Sequence, residues 1–298
     1  MALRTAFLAT LVSALWGLNV AAIKLGAREF PPLFLLVLRF ALVAAILLPF
    51  VKRPDRRCIG PVLAVSVLLG GFNFGFTFLG VTRLEAATAA IVGQLSVPFS
   101  VVLAAIFFGE RLGARRLAGI ALALAGVAIL VGAPRVANDA LGLAYIIIGA
   151  LAWAAANILI KRYGPFDPFM LTAWMSLLAA PQLLAVSLLV EHGQWQSVVR
   201  ADWIGWAAVG YMAICASIVA YGLWYALINR NPVGSLMPFM LLSPVFAAAG
   251  GVALGEPLTP LLVIGGAVTV IGVGICEMRF QRLRWSRRRS PDVTIAPH

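Results

Sequence analysis

The chain is poor in charge and in histidine. Charged residues make up 11% of its 298 residues and apolar residues 62%. A soluble domain carries about 25% charged residues, so water is not the main solvent here. The two histidines, His192 and His298, lie in a loop and at the C-terminus. No paired acid and base or activated nucleophile accompanies them, so a membrane enzyme is disfavoured and we expect no catalytic residue.

Cysteines and deep acidic residues are also scarce. The three cysteines, Cys58, Cys215 and Cys276, match no metal-binding or redox spacing, so we expect unpaired thiols, no metal and no cofactor. None of the eleven acidic residues lies deep in an apolar run. A small multidrug antiporter exchanges protons for cationic drugs through a buried carboxylate, and this mechanism is therefore disfavoured.

Long apolar runs with short gaps make up most of the chain. A helix of roughly 20 apolar residues crosses a bilayer. The sequence predicts ten spans, at about 5–27, 33–51, 59–80, 86–108, 115–132, 139–162, 169–190, 202–228, 233–254 and 259–278. The first run is too long for a signal-peptide core and lacks a convincing cleavage site, so it counts as a span. The predicted fold class is all-α integral membrane.

The positive charge lies mainly on one side of these spans. A net charge of +12 would favour nucleic-acid binding in a soluble protein. Here the basic residues lie between apolar runs, so they mark a membrane face and we expect no nucleic-acid partner. With the N-terminus inside, seventeen of the 23 lysines and arginines lie on the cytoplasmic side, including those of the basic tail. Both termini are therefore predicted to be cytoplasmic.

Two stretches of the chain match at a spacing of 146 residues. The matched residues are Pro98, Gly109, Glu110, Leu112, Gly119, Ala121 and Gly126 in the first and Pro244, Gly255, Glu256, Leu258, Gly265, Ala267 and Gly272 in the second. Five spans per copy is an odd number, so the copies point in opposite directions. Such inverted repeats usually serve alternating access around a site near the midplane. The predicted domains are 1–134 and 135–280, followed by a basic tail at 281–298.

Several short segments carry a family resemblance. They are Leu15-Trp16-Gly17-Leu18-Asn19 with Lys24, Pro31-Pro32 followed by Leu38-Arg39-Phe40, Phe108-Gly109-Glu110-Arg111-Leu112, Leu254-Gly255-Glu256-Pro257-Leu258 and Tyr221-Gly222-Leu223-Trp224. With ten predicted spans, the chain resembles the EamA family of the drug/metabolite transporter superfamily, and most closely its exporters of amino acids such as cysteine and O-acetylserine. The resemblance implies a bacterial cytoplasmic membrane protein with a pathway between the halves, lined by spans 1–4 and 6–9.

Arg39 is the main candidate for substrate contact. It lies six residues into the second span, about 9 Å deep at 1.5 Å per residue, which is too deep for easy access to the surface. Its guanidinium could bind a substrate carboxylate, hold neighbouring carbonyls in a gate, or serve packing alone. Lys24 lies only three residues from the end of its span, and we expect its amine to extend to the interface.

Neutral polar and aromatic residues complete the predicted pathway. They are Asn19, Asn73, Gln94, Asn157, Trp16, Trp153, Tyr221 and Trp224. The amides fit either hydrogen bonds between helices or a cavity for a zwitterion. The two tryptophans of spans 1 and 6 lie near mid-span, away from the interfacial belts where tryptophan is common. Tyr221 and Trp224, on one face with Tyr225, also fit such a belt.

Two prolines and two glutamates are candidates for hinges or gates. Pro98 and Pro244 lie mid-span at equivalent points, where each removes a backbone hydrogen bond. Glu110 and Glu256 mark span ends, where a carboxylate opposes the helix dipole and needs a partner. We expect that partner to be a nearby arginine or the N-terminal end of the following helix.

The sequence thus predicts an alternating-access exporter of small metabolites, amino acids or their derivatives first. Its expected partners are a small-molecule substrate and the lipid bilayer. The buried cation of Arg39 favours a neutral, zwitterionic or anionic substrate. A passive channel or facilitator for small polar solutes is the alternative function, because a duplicated chain with a polar lining is compatible with it as well. A receptor function is disfavoured, because it gives no reason for an inverted repeat.

Overall fold

The structure is a computed structural model that describes residues 3–108, 113–131, 139–230, 236 and 239–277, and every regular element in these ranges is helical. The α-helices are α1 (Leu3–Glu29), α2 (Pro32–Leu47), α3 (Ile59–Val65), α4 (Phe74–Arg83), α5 (Ala86–Gly93), α6 (Ser96–Phe108), α7 (Ala114–Val131), α8 (Ala140–Tyr163), α9 (Pro168–Val190), α10 (Gln194–Arg200), α11 (Trp203–Gly210), α12 (Ala220–Arg230), α13 (Ser243–Ala253) and α14 (Pro260–Glu277). Short 3-10 turns cover Leu48–Phe50 and Arg56–Cys58.

The described ranges contain seven helical stretches that are long and apolar enough to cross a membrane. They coincide with predicted spans one to four and six to eight. At the positions of predicted spans five, nine and ten lie α7, with 18 residues, α13, with 11, and α14, with 18. The prediction of a helical membrane protein is confirmed. The number of ten spans stays a prediction.

Local sequence explains where several helices begin. Asp139, Asp167 and Asp202 each precede a helix, and each carboxylate accepts a hydrogen bond from a backbone N–H in the first turn. These bonds satisfy donors that have no partner within the helix. Pro32 and Pro168 occupy first-turn positions, where the missing N–H of proline costs nothing.

Two spans are interrupted just before the predicted hinge prolines. The fourth breaks at a turn between α5 and α6, where the Val97 N–H donates to the Gln94 carbonyl at 3.0 Å. A turn with the Leu242 N–H on the Phe239 carbonyl, also at 3.0 Å, precedes α13. Pro98 and Pro244 therefore lie in the first turn after each break, where proline is tolerated. The role of these prolines as hinges stays a prediction.

Two other spans contain segments of π-helix, a rare form often found at functional sites. The first π segment, Ser66–Asn73, lies between α3 and α4, and the second π segment, Tyr211–Val219, lies between α11 and α12. Their separation is close to the spacing of the sequence repeat. The backbone therefore departs from α-helix at matching points of the two halves.

Helix packing brings residues from the two ends of the chain together. α1 packs against α12, α13 and the second π segment, while α8 packs against α4, α6 and the first π segment. α2 lies against α9, and α7 lies against α14. The main core includes Ile23, Phe30, Leu36, Phe40 and Phe78, all nearly fully buried. This arrangement places the second π segment beside α1 and α2.

Candidate functional site

Arg39 lies in the interior of the helical assembly and is 2% exposed. Its Nε and Nη2 donate to the Ser217 hydroxyl oxygen at 3.2 and 3.0 Å. Its guanidinium carbon lies 4.9 Å from the ring centre of Phe74 and 5.8 Å from that of Phe78. Such cation–π contacts partly offset the loss of hydration. The third nitrogen, Nη1, is buried without a hydrogen-bond partner.

No described carboxylate pairs with this buried cation. An unpaired charge inside a membrane protein is costly and commonly marks a substrate or ion pathway. Of the roles predicted for Arg39, the gate function on backbone carbonyls is not seen in this structure, since its described hydrogen bonds go to a hydroxyl. One nitrogen is left to bind a further acceptor.

Three aromatic side chains form a group that is linked to the backbone beside Ser217. The Trp16 ring centre is 5.2 Å from that of Tyr221 and 5.9 Å from that of Trp224. Trp16 Nε1 donates to the Ala216 carbonyl at 3.0 Å, immediately before Ser217. Tyr221 is close enough to Arg39 for an electrostatic interaction. We name Arg39, Ser217, Trp16, Tyr221 and Trp224 the Arg39 cluster; its tyrosine and second tryptophan contact Trp16 of α1.

The predicted amides are used differently. Asn73 donates to the Gly149 carbonyl at 2.9 Å, which joins the first π segment to α8, and Asn157 donates to the Trp153 carbonyl at 3.0 Å within α8. Gln94 lies in the turn that interrupts the fourth span. The Asn19 side-chain oxygen is buried without a partner, three residues after Trp16 on the same face of α1. Asn19 is thus the amide best placed to face the Arg39 cluster.

Lys24 forms an ion pair with Glu256, and the expectation that its amine extends to the interface stays a prediction. Its Nζ also donates to the Leu84 carbonyl at 2.5 Å. Glu256 accepts the Ala86 N–H at 2.6 Å, at the N-terminal end of α5. We expected Glu256 to pair with an arginine or with the N-terminal end of the following helix, and this prediction was wrong. The pair joins α1, α5 and the segment after α13. Glu110, the other predicted gate residue, lies outside the described residues.

Sequence reasoning missed several polar contacts between spans, and two of them involve the serines of the π segments. One is Ser217 on Arg39. The other joins Gln182 of α9 to Ser66 at 3.0 Å, at the start of the first π segment. Serine is common inside apolar helices and carries no positional signal there, and Gln182 lies away from the position that corresponds to Arg39. Only a comparison of the two predicted repeats, helix by helix, could have suggested these contacts.

The described residues offer no group of three His, Cys, Asp or Glu side chains that could hold a metal ion. Cys58 and Cys215 are free thiols, as expected. The side chain of Cys276 is not among those described.

Long apolar helices around a buried polar cluster define this chain as an integral membrane protein. Its sequence matches the EamA-like transporter family over residues 3–132 and again over 140–276, and the chain belongs to this family. It is a membrane transporter, as predicted from the resemblance.

Known relatives match along almost the whole chain. A protein of Salmonella typhimurium named "Probable amino-acid metabolite efflux pump" is 34% identical and aligns with 96% of this chain and 99% of its own length. A protein of the same name from Escherichia coli is 32% identical, with 96% and 98% covered. A solved crystal structure, whose description names no function, is similar with a TM-score of 0.60 at 22% identity. It covers 90% of this chain and 95% of its own, and supports the fold alone.

Proposed function

We propose that this protein is an alternating-access exporter of small metabolites in the bacterial cytoplasmic membrane, with amino acids or their derivatives as substrates. The observation that carries the proposal is the buried Arg39 guanidinium, which has no described carboxylate partner and one unpartnered nitrogen. A substrate carboxylate would supply the missing negative charge and would accept hydrogen bonds from the guanidinium. The names of the similar efflux pumps support this substrate class.

Residues near Arg39 can bind the ammonium group of an amino acid. The faces of Trp16, Tyr221 and Trp224 can attract a substrate ammonium through cation–π interaction. The unpartnered oxygen of Asn19 can accept a hydrogen bond from the same group. A zwitterion would thus satisfy buried donors and acceptors together. We assign Asn73, Gln94, Trp153 and Asn157 to the proposed pathway as supports of its walls.

We further propose ten spans in two inverted repeats, 1–134 and 135–280, with both termini and the tail at 281–298 in the cytoplasm. The family matches the chain twice, which supports the duplication. The contact of α1 with α13 corresponds to that of α8 with α6 when the halves are exchanged. The interrupted spans and the π segments recur at equivalent points. The lysines and arginines support the orientation, with only Arg28, Arg83, Arg135 and Arg200 on the outside.

Counterflow in proteoliposomes tests this function. The probe is a mixture of L-cysteine, L-serine, L-threonine, L-leucine and L-phenylalanine, compared with the matching amino-acid amides, which lack the carboxylate. We expect saturable uptake of the acids, accelerated by acids on the far side, and little uptake of the amides. Uptake that is unsaturable and insensitive to the far side would indicate a channel.

Arg39 variants test the site within the same assay. Lysine keeps the charge but lacks the flat fork of donors, so Arg39→Lys should lower counterflow about tenfold or more. Arg39→Gln should abolish it. The control is Arg200→Lys on the exposed surface, which should behave like the unmodified protein. Normal counterflow by correctly folded Arg39→Gln would refute the assignment of the carboxylate site.

A further inference from the structure

Ser217 occupies the edge of Arg39 that a carboxylate would use. Nε and Nη2 both donate to the one hydroxyl oxygen, at 3.2 and 3.0 Å. The same two nitrogens form the fork through which arginine binds a carboxylate with two parallel hydrogen bonds. A carboxylate is itself charged and offers two oxygens to this fork, whereas Ser217 offers one neutral oxygen that both nitrogens share. An incoming carboxylate can therefore displace the serine from this edge.

The hydroxyl of Ser217 also belongs to the second π segment. It donates its single proton to the Met212 carbonyl at 2.8 Å, five residues earlier. With two bonds accepted and one donated, its hydrogen-bonding capacity is fully used. The contact with Arg39 thus ties the second π segment to α2. Other bonds tie it to α1, from Trp16 to the Ala216 carbonyl and from Tyr211 to the Leu15 carbonyl.

We propose that Ser217 is a positioning residue that couples substrate binding to the conformational change of the carrier. The inference rests on the proposed function, because it requires a substrate carboxylate at Arg39. That carboxylate takes Nε and Nη2, the Ser217 hydroxyl is released, and the second π segment is no longer held against α2. The empty carrier stays restrained, and the loaded carrier becomes free to change conformation.

The first π segment provides a matched control. Ser66 donates to the Leu63 carbonyl at 2.8 Å and accepts from Gln182 Nε2 at 3.0 Å. It is therefore also a buried serine of a π segment that is tied to a neighbouring span. Its partner is a neutral amide, which offers no cation to a carboxylate. Loss of the Ser66 hydroxyl should disturb packing without disturbing the coupling.

The first test is the acceleration of counterflow by amino acids on the far side, measured with the mixture defined above. This acceleration arises when the empty carrier reorients more slowly than the loaded one. We expect Ser217→Ala to bring the ratio of accelerated to basal uptake close to one, because the empty carrier loses its restraint. Ser66→Ala and Ser217→Thr, which keeps the hydroxyl, should retain the ratio of the unmodified protein.

The second test is hydrogen–deuterium exchange of residues 211–219 in the detergent-solubilised full chain. The amino-acid mixture should accelerate exchange there in the unmodified protein, and the amides should not. Ser217→Ala should exchange about tenfold faster without any ligand, since hydrogen bonds to a charged group are lost, and should respond no further. This comparison in the unmodified protein stays informative even if the alanine variant folds poorly.

The outcomes separate the two proposals. Far-side acceleration that persists in Ser217→Ala, or exchange at 211–219 that amino acids leave unchanged in a protein that carries them, overturns the coupling role alone. Exchange at 211–219 that responds equally to the amino acids and to their amides also overturns the coupling role alone. Absence of amino-acid counterflow in the unmodified protein overturns the proposed function and, with it, this role.

Discussion

At the scale of single residues, the buried guanidinium of Arg39 is stabilised by several different contacts. Arg39 combines a hydroxyl acceptor with two aromatic faces, and no described carboxylate neutralises it. A permanent internal carboxylate would remove the attraction for an anionic substrate. The guanidinium stays charged under all relevant conditions, whereas a lysine amine shifts its pKa readily when buried. Arginine therefore suits a site that must remain cationic between transport cycles.

The pair of Lys24 and Glu256 should contribute to stability as a unit. Both side chains are largely buried, with 17% and 18% of their surface exposed, and Glu256 also accepts the Ala86 N–H. Lys24→Met and Glu256→Gln should each cost about 2 kcal/mol, between the values for surface and buried pairs. The measurement is thermal unfolding in detergent, as a double-mutant cycle.

The exposed pair of Arg83 and Asp139 serves as the control for that cycle. The Arg83 side chain is 46% exposed, so its coupling energy should lie at about 0–1 kcal/mol. The coupling of Lys24 with Glu256 should clearly exceed it. Strictly additive effects of the two single variants would show that the buried pair is not coupled.

The depth of a side chain along its span was predictable from the sequence, whereas its interaction partners were not. Counting residues from the span end placed Arg39 in the interior, because helical rise converts sequence distance into depth. The same count gave no partner for Lys24, since its partner Glu256 comes from the other predicted repeat. Ser217 was missed because hydroxyls within apolar runs are common. Contacts between distant segments depend on tertiary packing, which local spacing does not contain.

At the scale of elements, two prolines marked the positions of the interrupted spans, whereas nothing marked the π segments. Pro98 and Pro244 lie in the first turn after each break, where the missing N–H of proline is tolerated. The π segments contain no proline. Polar contacts with neighbouring helices, such as those of Ser217 and Asn73, accompany them. A local pattern therefore reveals the first kind of irregularity only.

The cap of α8 should make stability depend on pH in the acid range. The pKa of Asp139 is lowered because its carboxylate accepts the Gly142 N–H and, secondarily, pairs with Arg83. A folded-state pKa below the unfolded value means that the stabilisation is fully present above the ordinary value and is lost as pH falls through the folded pKa. Asp139→Ala should therefore cost about 1 kcal/mol at neutral pH.

Unfolding of Asp139→Ala and the unmodified chain should be compared in detergent from neutral pH down through the acid range. Their stabilities should converge as the carboxylate becomes protonated below its ordinary pKa. Arg83→Gln keeps the cap and removes the ion pair, so it should lose only part of the effect. A constant difference between Asp139→Ala and the unmodified protein at all pH values would contradict this account.

At the scale of the whole molecule, α7 and α14 join the two predicted repeats through glycines. A Cβ on Gly126 would overlap the backbone nitrogen of Thr269, and one on Gly272 would overlap the backbone of Ala123. Small residues allow such close approach, which replaces the hydrophobic driving force that is absent between helices in lipid. The repeat positions of these glycines predicted close packing, whereas which helix each one meets required the structure.

Gly126→Ala should destabilise the molecule by about 1–3 kcal/mol, because the added methyl group must push α7 away from α14. Gly272→Ala acts on the same contact and should have a similar effect. The control is Gly210→Ala, since a Cβ there has no atom within 4 Å and alanine favours the helix. Thermal unfolding in detergent provides the measurement. The Arg39 cluster lies outside this contact, so counterflow per folded molecule should change little for Gly126→Ala and Gly272→Ala. Equal stability of Gly126→Ala and Gly210→Ala would mean that the contact between α7 and α14 does not hold the halves together.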